Sequence, residues 1–212
     1  MNENSSKQVL LSVIGIAVLV VAVVGVSFAF FTYSKGGTKS NNLTTGSIFF
    51  DFTEGNRINL TNQFPMADSA GEALTTGDNG ALEFTVKGYD TSKKGIAYTV
   101  YAVPGEAVDT KTRFKDSEIK LNLSTSATGV TNNYSTSKAV VENGSLTASG
   151  IVLATGKITA TSSATQQEDN YTLRMWISDA VTIGATGATY TEAQFADLYY
   201  SLKIKVVANT AA

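Results

Sequence analysis

Beyond residue 40 the chain alternates apolar and polar residues with a period of two, a pattern that fits half-buried strands and does not fit helices. The longest run is LYYSLKIKVVA. There Leu198, Tyr200, Leu202, Ile204 and Val206 share one face, and Tyr199, Ser201, Lys203, Lys205 and Val207 share the other. LEFTVK, GIAYTVYAV, IKLNLS and YTLRMWIS alternate in the same way, and GSIFFDF, RINLT and IVLATGKITAT bring the total to roughly eight strands. Segments of this kind must bury one face each, so they predict an all-β fold, an antiparallel β-sandwich or jelly roll. The Ser/Thr- and Gly-rich stretches 75–80, 124–138 and 183–190 read as surface loops. One short helix is expected over TEAQFADL, where Thr191 and Gln194 fit a capping box and Phe195 and Leu198 share a face.

Ahead of this region, Val9 to Phe31 reads VLLSVIGIAVLVVAVVGVSFAFF without a charge, long enough as a helix to cross a bilayer of about 30 Å. Two readings follow. Ser27 and Ala29 occupy the −3 and −1 positions of a signal-peptidase site, with cleavage releasing a chain that starts at Phe30. Alternatively the run, longer than a usual signal core, stays as an amino-terminal transmembrane anchor. Both readings export the rest of the protein to the cell surface or medium. They divide the chain into residues 1–29 (signal peptide or anchor), 30–40 (a connecting segment) and 41–212 (the β domain).

Charge and composition narrow the chemistry. The formal net charge is −2, and the Lys and Arg residues are scattered, so the basic stripe that a phosphate backbone requires is missing and nucleic acid is not an expected partner. With no cysteine there is no disulfide, thiolate zinc site or iron–sulfur cluster. With no histidine there is no HExxH zinc site and no imidazole general base. No enzymatic activity, catalytic residue, metal or cofactor is therefore expected. The acidic pairs Asp51/Glu54, Asp68/Glu72, Asp116/Glu118 and Glu168/Asp169 read as solvated loop charges. Asp78-Asn79-Gly80 lacks the ligand ladder of a calcium loop and reads as a turn. Arg174 and Trp176 lie together on the polar face of YTLRMWIS. They form an exposed stacking or glycan-contacting patch, an ordinary cation–π contact, or part of a sheet packed on both faces.

The apolar leader running into AFFTYSK, followed by NNLTTGSIFFDF and RINLTNQFPM, resembles the TasA and camelysin family of exported proteins. The matching positions are Ala29 with Phe30, Gly46 with Ile48, and Asn59, Leu60, Asn62 and Pro65, while LYYSLKIKVVA is similar to the family's last strand. The resemblance covers both ends of the chain and is loose between them. It implies a jelly-roll subunit processed by a SipW-type signal peptidase, which assembles with copies of itself into matrix fibres or pilus-like filaments by donor-strand complementation. Before processing, residues 9–31 would hold it in the membrane.

The residues are compatible with that role. Phe31 and Tyr33 alternate with Phe30, Thr32 and Ser34, and Gly36-Gly37 follows as a permissive hinge. Added to a neighbour's sheet edge, such a strand satisfies main-chain hydrogen bonds and buries aromatic area worth about 1.5–3 kcal/mol per ring. The same aromatics also suit a membrane interface or pairing within their own domain. A second expectation is a tethered surface module whose Ser/Thr-rich loops contact a cell-surface glycan or a matrix protein.

Overall fold

The computed structural model describes residues 33–36, 43–45, 48–54, 58, 60, 63–75, 79–184 and 186–210. The apolar run 9–31 lies outside the described residues. The strands are β1 (Tyr33–Gly36), β2 (Leu43–Thr45), β3 (Ile48–Glu54), β4 (Ala81–Asp90), β5 (Ile96–Pro104), β6 (Thr112–Arg113), β7 (Ile119–Thr125), β8 (Thr131–Asn132), β9 (Lys138–Ala139), β10 (Ile151–Ile158), β11 (Gln167–Ile177), β12 (Leu198–Tyr199) and β13 (Leu202–Thr210). Two one-turn-and-a-bit helices interrupt them, α1 (Asp68–Glu72) and α2 (Glu192–Ala196).

The strands form two main sheets and are largely antiparallel. The five-stranded sheet has the order β1-β13-β5-β10-β8, and the six-stranded sheet has the order β2-β3-β4-β11-β7-β9. A two-residue parallel pair, β12–β6, stands apart. From β4 onward, successive members of the two sheets lie in opposite sheets: β4, β7, β9 and β11 in one, β5, β8, β10 and β13 in the other. The result is an open, sandwich-like all-β fold.

The core follows from the alternation. Phe52, Phe84, Val86, Leu121, Leu173 and Met175 of the six-stranded sheet and Val100, Leu153, Ile158, Ile204 and Val206 of the five-stranded sheet belong to one buried cluster. Phe84 stacks on Tyr171 at 4.9 Å and 9°, and Phe52 meets Phe84 edge-on at 5.9 Å. Such pairs add about 0.5–1.5 kcal/mol to the burial of the rings themselves.

The expected count of about eight strands is corrected to eleven in the two sheets. The additions include β8 and β9, two residues each, too short to display a period. β8 lies inside 124–138, which therefore contributes a sheet edge as well as loop. Of RINLT, the structure describes Ile58 and Leu60, and neither is in a strand. Ile58 and Leu60 are both buried, yet neither lies in a ladder, and the Leu60 N–H donates instead to the Tyr200 carbonyl at 3.2 Å. LYYSLKIKVVA breaks after Tyr199, so that Leu198, Tyr199 and Tyr200 are buried in succession before regular alternation resumes in β13. The helix at TEAQFADL forms as α2, with Thr191 and Gln194 closing the capping box.

Trp176 is fully buried, which overturns the exposed patch and leaves the reading of a sheet packed on both faces. Its outward side is covered by α1, where a Cβ added at Gly71 would lie 2.1 Å from the indole. Gly71→Ala must therefore push the helix off the ring, at a cost of about 1–3 kcal/mol. In a domain of this size each kcal/mol lowers Tm by about 2–4 °C. Calorimetry is expected to resolve that drop for Gly71→Ala and none for Ala70→Ser on the exposed side of the same turn.

Candidate assembly edge

β13 is the strand on which an assembly edge would be built. On one side it pairs with β5 through nine positions, from Leu202↔Pro104 to Thr210↔Ile96. Ile204, Val206 and Ala208 face the core and fix this register, because a one-residue slip would turn them to solvent. On its other side the neighbour is β1, with four residues. Among the described residues, β1 is the strand beside β13 on that side, at the end of the sheet order.

The expected donor segment meets this edge only in part. Tyr33 and Ser34 lie in β1, and Gly36 closes it. Ser27, Ala29, Phe30, Phe31, Thr32 and Gly37 lie outside the described residues.

Two buried polar networks hold β13 and its partner in place. At the entry to β13, the Asp116 carboxylate is 2% exposed and accepts from the Tyr200 hydroxyl and, at 2.5 Å, from the Leu146 amide. The Arg113 guanidinium lies 2.7 Å from the same carboxylate and 4.2 Å above the Tyr200 ring. Burial alone would raise the Asp116 pKa. The bonds from Arg113, Tyr200 and Leu146 outweigh it and hold the carboxyl below its ordinary 3.8. Just beyond, Gly105 N–H donates to Ser201 O at 3.1 Å, and Lys203 pairs with Glu106 at 2.9 Å.

The second network ties β5 to the opposite sheet. The Tyr98 hydroxyl lies 2.5 Å from Asp169 and 2.6 Å from the Tyr171 hydroxyl, and Gln167 Nε2 donates to both Asp169 oxygens at 2.9 and 3.1 Å. Burial, with the Asp169 charge adding to it, pushes the Tyr171 phenol up to about 12 despite the Tyr98 bond. Gly156 opposite Tyr98 leaves room for the ring, since a Cβ there would sit 2.3 Å from it.

These networks correct the reading of Asp116 and Asp169 as solvated loop charges: both are 2% exposed. Their polar neighbours in sequence hid this, because the tyrosines that bind them are 84 and 71 residues away. Asp90 is also buried. It closes the β4–β5 turn by accepting from Ser92 N at 2.8 Å, Ser92 Oγ at 2.7 Å and Gly95 N at 2.8 Å, which outweigh burial and lower its pKa. Glu118 and Asp68 are also held by residues distant in sequence, Glu118 by the Tyr190 hydroxyl at 2.8 and 2.9 Å, and Asp68 by Lys120 at 3.7 Å. Asn79-Gly80 forms a turn, while Asp78 lies outside the described residues.

Two open clefts lie elsewhere on the molecule. One of about 440 Å³ lies among Glu83, Thr85, Ser124, Asn170 and Thr172, where Thr85 Oγ1 donates to Asn170 Oδ1 at 2.7 Å. The other, about 480 Å³, is lined by Thr128, Lys157, Thr159, Gln167 and Glu168. Among the described residues, no three His, Cys, Asp or Glu side chains gather into a metal-binding group, and no helix is long and apolar enough to cross a membrane. Comparison with family models, curated proteins and solved structures gave no match to this chain.

A depressed carboxyl pKa contributes stability that is complete above the unfolded-state value and is lost as pH falls through the folded-state value. Since Asp90 and Asp116 are both lowered below 3.8, Tm is expected to hold level from about pH 7 to 5 and to fall below about pH 4. Asp116→Asn leaves the partly exposed Arg113 facing an uncharged amide and is expected to lower Tm at neutral pH, at a cost below the roughly 3–5 kcal/mol of a fully buried pair, while flattening the acid limb. Thermal melts across that range, wild type against variant, check both effects.

Proposed function

We propose that this chain is an exported, non-enzymatic structural subunit that polymerises into extracellular fibres or pilus-like filaments by donor-strand complementation. A signal peptidase cuts after Ala29, and the freed segment Phe30–Ser34 swings on Gly36 and Gly37 to pair with β13 of the next copy. The observation that carries this reading is the place of β1, where Tyr33 and Ser34 of the donor segment stand at the end of the five-stranded sheet beside β13. Exchanging β1 between copies keeps the same kind of main-chain pairing to β13, the logic of domain swapping and strand addition. The passage of the chain from sheet to sheet supports a jelly roll as the finer description of the fold. The resemblance of the leader and of the closing strand points the same way.

Removing residues 30–37 is expected to leave a folded monomer that forms no filaments in electron micrographs. A synthetic FFTYSKGG peptide supplied at a hundred times its Kd should then stabilise that monomer by about 2.7 kcal/mol. Filaments from the truncated protein would remove the donor role. The intact mass of protein recovered from the cell surface and medium tests processing. A chain beginning at Phe30 is expected, and a full-length mass would make this a membrane-tethered surface domain instead.

A further inference from the structure

We propose that the outer face of the five-stranded sheet binds an acidic polysaccharide, a polymer whose sugars carry carboxylates. The strands segregate charge between the sheets. β1, β5, β8, β10 and β13 contain no Asp or Glu, whereas β3, β4 and β11 of the other sheet contain Asp51, Glu54, Glu83, Asp90, Glu168 and Asp169. A chain of net charge −2 thus presents one face without strand carboxylates.

Register arranges that face. Thr155, Thr99 and Val207 form one row across β10, β5 and β13. Lys157 stands in the row on one side of it, level with Ala97 and Asn209, while Tyr101 and Lys205 pair in the row on the other, followed by Val103 with Lys203. At strand spacings of about 4.8 Å and rises of about 3.3 Å per residue, Lys157 and Lys205 lie about 16 Å apart diagonally across the hydroxyl row. Lys93 and Lys94, exposed in the turn before β5, extend the strip beyond Lys157. Of these five cations, Lys203 alone has an ion pair with a described residue, to Glu106. On the six-stranded sheet, by contrast, Lys87 is paired with Glu168, Lys120 with Asp68, and Arg174 donates to Leu74 O and Ser124 Oγ.

The face offers three kinds of contact. Lysines supply charge to carboxylates, Thr99 and Thr155 supply donors and acceptors to sugar hydroxyls, and the half-exposed Tyr101 ring supplies an apolar surface with a polar tip. Duplex DNA fits less well, since it carries one charge per roughly 1.7 Å and is read by clustered basic groups that a flat, mixed face on a net-negative chain lacks. Single-site binding through a few screened lysines is weak, with interactions fading beyond a Debye length of about 10 Å at 0.1 M salt. Repetition on any assembly of copies would multiply it through effective concentration. The proposal does not require the fibre reading, and its test uses the chain whether or not it polymerises.

Co-sedimentation and titration of the full chain with polygalacturonate, neutral dextran and duplex DNA test it. Polygalacturonate is expected to bind at about 0.05 M salt and to weaken at least about tenfold by 0.3 M, with no binding of dextran. The double variant Lys157→Gln/Lys205→Gln should lose about tenfold in affinity with Tm unchanged, and Lys157→Gln alone should lose part of it. Lys87→Gln on the opposite sheet should bind as wild type. Undiminished binding by the double variant, equal binding of dextran, tighter binding of DNA, or no binding of polygalacturonate would each overturn the assignment.

Discussion

The structure depends on two sheets closing their inner faces on each other without a disulfide. With no cysteine, the sandwich is held by interlocked side chains and by polar pins at chosen points. Phe84 stacked on Tyr171 fills the six-stranded sheet's side of the interface, while the Tyr98 hydroxyl crosses from β5 to Asp169. The pin is electrostatically strong because it is dry, and for the same reason every oxygen in it has to be satisfied. Gln167 completes the set by donating to both carboxylate oxygens.

Around β13 the same economy recurs. Asp116 gathers Arg113, Tyr200 and the Leu146 amide at the point where the chain turns into the strand, so the start of β13 is fixed from outside the sheet as well as by β5. The register of β13 is thus held both by its ladder to β5 and by side chains from outside the sheet.

Much of this architecture was legible in the sequence because alternation reports faces directly. Seven of the eight alternating segments became ladder strands, with Tyr171, Leu173, Met175 and Ile177 inward as their spacing required. RINLT misled because Ile58 and Leu60 are buried outside any ladder, with the Leu60 N–H bonded singly to the Tyr200 carbonyl. Trp176 misled for the opposite reason: period two says which way a side chain points, and only α1 decides whether that direction meets water. The buried carboxylates were illegible since their partners come from other strands. The cationic face was half legible. Lys203 and Lys205 share a side in any strand, but bringing Lys157 to the same face requires the order β13-β5-β10, which alternation leaves open.

The route of the chain also sets the order in which the fold can be built. β5 lies at the centre of its sheet, yet its longest pairing joins residues 96–104 to 202–210, so about half the chain separates the two strands. Contacts this distant carry a large loop-closure entropy before they return any binding, which places such topologies among the slow folders. Until β13 docks, β5 has an open edge on that flank, and the folding chain passes through a stage in which this apolar strand lacks one neighbour. Any chaperone, or any second chain met during that interval, finds the molecule with its sheet unfinished.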